Sequence, residues 1–228
     1  MERKNSLFFV TLHALHKTGV LKDIILVGSW CHYFYRQYFD NAPEIPAVRT
    51  LDIDFLVPNP PKIKKEVNIP EILTALGFSP LHNYTTGYVK YVHPELELEF
   101  LTPDLGKGKG SEPYRILQLH IQAQGLRFLN FLQDYVMKVT YKGITIQMPE
   151  PAAYVLHKFI IYKRRTKKEK RDKDLQAAKD IGKFLLQKDE QRKRLSEIFN
   201  DLPQKWQAKI KNNLKEDFPA LYKFLQKD

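Results

Sequence analysis

Apolar positions recur at helical spacing near the start of the chain, at Phe8, Leu12 and Leu15, and Gly19 closes that segment, so a helix is expected over about 5–18. DIILVGSW then reads as a short buried strand ending at Gly28, and SWCHYFYRQYF (29–39) as a helix with Ser29 at its start. NAPEIPAV is a Pro-broken loop. Within RTLDIDFLV (49–57) the period becomes two: Leu51, Ile53 and Phe55 point one way, Thr50, Asp52 and Asp54 the other. PNPPKIKK is a rigid turn, and a helix near 69–76 ends at Gly77. GYVKYV (87–92) and LELEFL (96–101) pattern as a hairpin pair. LTPDLGKGKGSEP reads as a mobile loop, and FLNFL, YVMKVTY and ITIQM, within 128–148, as further strand. After Pro149 the pattern is helical throughout, over about 151–163, 173–187, 189–200, 203–213 and 216–226. The fold class that follows is α+β: a sheet domain over 1–149 and a helical domain over 150–228.

Composition narrows the partners. The 228 residues carry 43% hydrophobic and 12% aromatic side chains, enough for a core. A net charge of +11 suits anionic partners such as nucleic acid, nucleotides or an acidic membrane surface, or else serves solubility alone. A single cysteine, Cys31, excludes an internal disulfide and suits a reducing compartment. The first residues lack a signal-peptide pattern, and no stretch approaches the ~18 apolar residues of a membrane span, so a cytoplasmic protein without a membrane partner is expected.

The candidate chemistry begins with two carboxylates. Asp52 and Asp54 share one face of an otherwise apolar strand, roughly 6.5–7 Å apart along the backbone. That spacing lets both converge on a pair of divalent ions; with no cation present, two acids so close would repel. Downstream, Glu95, Glu97 and Glu99 also share a face. They either supply a third ligand or form a solvated sheet face paired with Lys or Arg. Oxygen ligands of this kind select Mg²⁺ or Mn²⁺. Gly28-Ser29 joins strand to helix, where glycine admits close backbone approach and the helix N-terminus suits a phosphate. Ser29 either caps that helix or donates to a phosphate oxygen.

The order strand, Gly-Ser, helix, then R-T-x-D-x-D resembles the signature of the DNA polymerase β-like nucleotidyltransferase superfamily, over roughly residues 20–104. The resemblance implies a nucleotidyltransferase-type mixed β-sheet with flanking helices. It implies a two-metal enzyme that moves a nucleoside monophosphate from an NTP to a hydroxyl on RNA, protein or a small molecule. It also implies Asp52, Asp54 and a third acid as catalytic metal ligands for Mg²⁺ or Mn²⁺. Glu99 best matches that third position and Glu97 competes with it; many relatives carry Asp there. Gly28, Ser29, Arg49 and Thr50 fall on the nucleotide side. Arg49-Thr50 and a later lysine make the chain look closest to the bacterial proteins that include AbiEii-type toxins, with a second stretch of resemblance over roughly 150–182.

That lysine is Lys158, set inside the apolar run AAYVLHKFIIY (152–162). Such a lysine either snorkels to water or faces an anion, and the resemblance implies that it faces the nucleotide. Asp174, and with it Arg165, are candidate support: the acid either orients a cation or favours its helix through the dipole. Residues 163–173 hold eight Lys or Arg and two acids, which serve as a solvated loop or as a phosphate-backbone contact for an RNA or DNA acceptor. Two other functions are consistent with the residues: a catalytically silent nucleotide- or nucleic-acid-binding protein on the same fold, and a basic helical adaptor.

Overall fold

The computed structural model describes residues 3–46, 50–106 and 112–226, with side chains from residue 7 onward. It divides into two compact units: Met1–Cys31 with Val48–Pro149, and His32–Ala47 with Glu150–Asp228.

The first unit is built on a mixed sheet. Helix α1 (Arg3–Thr18) buries Phe8, Leu12 and Leu15, the face its periodicity predicts. Strand β1 (Ile25–Val27) is fully buried, as three consecutive apolar residues require, and helix α2 (Trp30–Tyr38) follows, its first two residues grouping with this unit. Strand β2 (Asp52–Leu56) buries Ile53, Phe55 and Leu56 and leaves Asp52 exposed and Asp54 half-buried. Helix α3 (Ile69–Ala75) is capped by Asn68, whose side chain accepts from the Glu71 N–H at 3.2 Å. Strands β3 (Ser79–His82), β4 (Val89–Val92) and β5 (Glu97–Pro103) form an antiparallel run, followed by β6 (Tyr114–Ile116) and β7 (Ile121–Leu126). Helix α4 (Leu129–Asp134) and the hairpin β8 (Val136–Tyr141) and β9 (Ile144–Pro149) complete the unit.

The sheet order is β3-β4-β5-β2-β1-β9-β8, with β7 on β5 and β6 on β7. The central pairs decide what lies beside what: β1 runs antiparallel to β2, and β2 runs parallel to β5. A small core of Ile25, Val27, Leu56, Leu101, Leu129 and Leu132 packs α4 against the sheet.

Several expectations change here. FLNFL is a helix, not a strand. Phe128 takes a left-handed φ of 70°, turning the chain, and Leu129, Phe131 and Leu132 then bury a helical face. Strands β3, β6 and β7 were not expected; β3 is exposed along its whole length and carries no apolar alternation. Of the loop 101–113, β5 takes up the residues through Pro103, and 107–111 lie outside the described residues.

The second unit is helical: α5 (Pro151–Ile161), α6 (Lys168–Leu185), α7 (Asp189–Asp201), α8 (Gln204–Asp217) and α9 (Pro219–Phe224), together with His32–Ala47. Helix α5 is buried on nearly every side, which its almost wholly apolar sequence requires. Helix α6 starts at Lys168, so much of the basic run expected as a loop is helix. Lys, Arg and Glu are good helix formers, and Glu169 in the first turn favours the dipole. No described helix is long and apolar enough to cross a membrane.

Candidate active site on the carboxylate face

The first unit brings Gly28 and Asp54 together through strand register. Val27 of β1 pairs with Asp54 of β2, so the turn after β1 lies on that aspartate. Gly28 has φ +76°, which L side chains rarely adopt. A Cβ there would stand 2.3 Å from Asp54 Oδ2, so both backbone and space demand glycine. Ser29 follows, half-buried, and Trp30 opens α2 stacked on Phe8 with ring centroids 3.5 Å apart. Thr50 Oγ1 accepts from the Asp52 N–H at 3.3 Å, which holds the entry to β2. Arg49 lies outside the described residues.

The parallel pairing of β2 with β5 sets Asp52 beside Glu97 and Asp54 beside Glu99. With side chains alternating along each strand, these four carboxylates share one face, while Ile53, Phe55, Leu98 and Phe100 bury the other. Glu95 precedes β5 and is exposed.

Lys90 of β4 reaches onto this face. Its Nζ lies 2.5 Å from Glu97 Oε2 and 2.6 Å from Glu99 Oε1, so one ammonium bridges both glutamates. Burial works against its charge, but the hydrogen bonds to Glu97 and Glu99 and their charges outweigh that and push the Lys90 pKa up. Beside Glu99 lies the Tyr88 hydroxyl, buried and without a hydrogen-bond partner of ordinary geometry. Burial first, then the charges of Glu99 and Asp54, push this phenol's pKa up and keep it neutral.

Asp52 and Asp54 suit a hard divalent cation: both offer carboxylate oxygens from a rigid strand on one face. The third acid does not join them in this arrangement. Among the described residues no three His, Cys, Asp or Glu side chains converge as a metal site, and both candidate third ligands are held by Lys90. The alternative in which the glutamates pair with a lysine is the one observed for Glu97 and Glu99.

The second unit carries its own charged centre. Lys158 of α5 and Asp174 of α6 are both buried and form an ion pair. Arg165 Nε donates to the other oxygen, Asp174 Oδ2, at 2.8 Å. Lys158 therefore does not snorkel to water; it faces a carboxylate, with its Nζ 5.2 Å from the centroid of the Tyr154 ring. Burial raises the Asp174 pKa, but Lys158 and Arg165 outweigh it and hold the carboxyl below its usual range. Two cations sharing one carboxylate leave the centre with a net positive charge.

Two buried histidines lie around it. His32, 1% exposed, packs edge-on against Tyr154 at 5.6 Å, and neither ring nitrogen has a hydrogen-bond partner. Burial, then the charges of Lys158 and Lys173, lower its pKa to about 4. His157 is lowered to about 3, by burial first and then by Lys158. Of the basic run, Lys163 is tied to Glu216 at 2.8 Å and Arg165 to Asp174. Lys90, Tyr88 and His32 were missed because their significance rests on what faces them. The one signal for Lys90 was its position between the buried Val89 and Tyr91, which aims it away from the core.

A family model described as Nucleotidyltransferase matches residues 10–201. No curated protein matches the chain. Among solved structures, the chain is similar to an antigenic nucleotidyltransferase-like protein from Paracoccidioides brasiliensis at 14% identity and TM-score 0.48, covering 97% of this chain and 93% of that one. It is similar to the antibiotic-resistance factor ANT(2'')-Ia at 11% identity and TM-score 0.43, covering 98% and 97%. A tRNA nucleotidyltransferase solved with a primer tRNA and an incoming ATP analogue matches at 14% identity and TM-score 0.25, with 94% of this chain and 62% of that one covered.

Proposed function

Because the chain belongs to the nucleotidyltransferase family, we propose that it moves a nucleoside monophosphate from an NTP to a hydroxyl acceptor on RNA, a protein or a small molecule, with release of pyrophosphate. The observation that carries this is the seating of Gly28 on Asp54, within a face that also holds Asp52, Glu97 and Glu99. A turn with no room for a side chain beside a carboxylate pair is what a triphosphate approaching along the backbone needs.

In this reading the backbone N–H groups at the start of α2 receive phosphate oxygens, with the Ser29 hydroxyl a further donor. Asp52 and Asp54 hold Mg²⁺ or Mn²⁺, which when bound neutralises phosphate charge and acidifies an acceptor hydroxyl. The buried face of β2 holds the strand that carries Asp52 and Asp54, so this pair is oriented before the substrate arrives. Thr50 fixes the backbone of Asp52. Arg49, and Lys158 oriented by Asp174 and Arg165, are the electrostatic helpers for the nucleotide. Arg49-Thr50 and the Lys158–Asp174 pair also carry the proposed kinship with AbiEii-type proteins. The two-ion arrangement expected from the sequence needs a glutamate released from Lys90.

One observation favours a second reading, a protein that binds NTP without turnover: Lys90 occupies both candidate third acids. Incubation of the full chain with each α-labelled NTP, Mg²⁺ and cellular RNA or protein separates the two. Labelled acceptor that disappears in Asp52→Asn and Asp54→Asn supports transfer. Magnesium-dependent NTP binding with no labelled product supports the second reading, and label transfer at the parental rate by both variants removes the aspartates from the mechanism.

A further inference from the structure

We propose that the Lys90 ammonium takes the place of a second divalent cation, so that the carboxylate face works with one metal ion, on Asp52 and Asp54, and one built-in cation, on Glu97 and Glu99. The inference rests on the reading of Asp52 and Asp54 as metal ligands.

Three observations carry it. The ammonium lies within hydrogen-bond distance of an oxygen from each glutamate, 2.5 Å and 2.6 Å away, as a bridging cation would. Those glutamates lie beside Asp52 and Asp54 through the β2–β5 register, so Lys90 neutralises the half of the face from which a third ligand would come. The pairing is only partly open to solvent: the Lys90, Glu97 and Glu99 side chains are 24%, 41% and 20% exposed.

A second divalent ion would meet two obstacles there. It would compete with the ammonium for the same oxygens. If it used the remaining carboxylate oxygens, it would stand close to the positive charge that already bridges both glutamates. Mg²⁺ also sheds its hydration shell reluctantly and demands near-octahedral ligands, which carboxylates already bridged by lysine are poorly disposed to give. The ammonium needs no such geometry, because its protons rotate to suit their acceptors.

The test is an electron paramagnetic resonance titration of the full chain with Mn²⁺, counting bound ions. The parent is expected to bind one ion, lost in Asp52→Asn. Lys90→Met is expected to bind two, and Lys90→Met with Glu99→Gln to return to one. Circular dichroism verifies that the variants fold. Two ions in the parent overturn the inference whatever the variants do, while leaving Asp52 and Asp54 as ligands. One ion in folded Lys90→Met overturns it as well. No bound ion in the parent overturns the inference together with the metal reading beneath it.

Discussion

Replacing Asp174 with Asn keeps the side chain's shape and removes its charge. Lys158 would then carry an ammonium, on a side chain 11% exposed, against a neutral amide. Breaking a buried ion pair by removing one partner costs about 3–5 kcal/mol, because the remaining charge is left in a poorly solvating place. Two features favour the lower end. Arg165 is 39% exposed, so its loss of a partner is softened by solvent, and the Tyr154 ring still faces Lys158 at 5.2 Å. The expected loss is about 3 kcal/mol, a fall in Tm of roughly 6–12 °C for a chain of this size. Urea titration at neutral pH, followed by far-UV circular dichroism, should show a lower midpoint at unchanged slope. Lys158→Met combined with Asp174→Leu replaces both charges by apolar groups and should lie within about 1 kcal/mol of the parent. A loss in Asp174→Asn under about 0.5 kcal/mol, on the scale of an exposed pair, or a double variant no more stable than the single one, would refute the buried-pair account.

Gly28→Ala must place a Cβ in a left-handed backbone and displace Asp54 Oδ2. It should cost about 1–2 kcal/mol of stability and weaken Mn²⁺ binding by about tenfold or more, measured by urea titration and Mn²⁺ titration. The pH dependence follows from His32 and His157, both buried and neutral, with pKa values of about 4 and about 3 against 6.5 unfolded. Below 6.5 the unfolded chain takes up protons that the folded chain refuses, so stability is full above that pH and falls as pH drops toward 4. Asp174, held low, adds a further loss once the pH passes below its ordinary value of 3.8. Urea midpoints across this range should show a slope that His32→Leu and His157→Leu each reduce; an unchanged slope in both would remove the histidines as its source.

Local pattern determined most of the elements and half of the site. Alternation in Asp52–Leu56 was enough to set both aspartates on one face, because side-chain direction in a strand depends only on parity. The helices after Pro149 were legible because their apolar stripes are long. FLNFL was misjudged because five residues cannot distinguish a buried helix from a buried strand; the turn at Phe128 and the core of Leu129 and Leu132 decide that. Pattern also put Glu97 and Glu99 on one face, yet it could not say which strand lies beside which. Only the sheet order sets Glu99 against Asp54, seats Gly28 on that same aspartate, and brings Lys90 onto both glutamates. The physical reason is range. Periodicity is a property of neighbours along the chain. The charge state and ligand capacity of a carboxylate depend on groups a few ångströms away in space, supplied by strands that meet only when the sheet has formed.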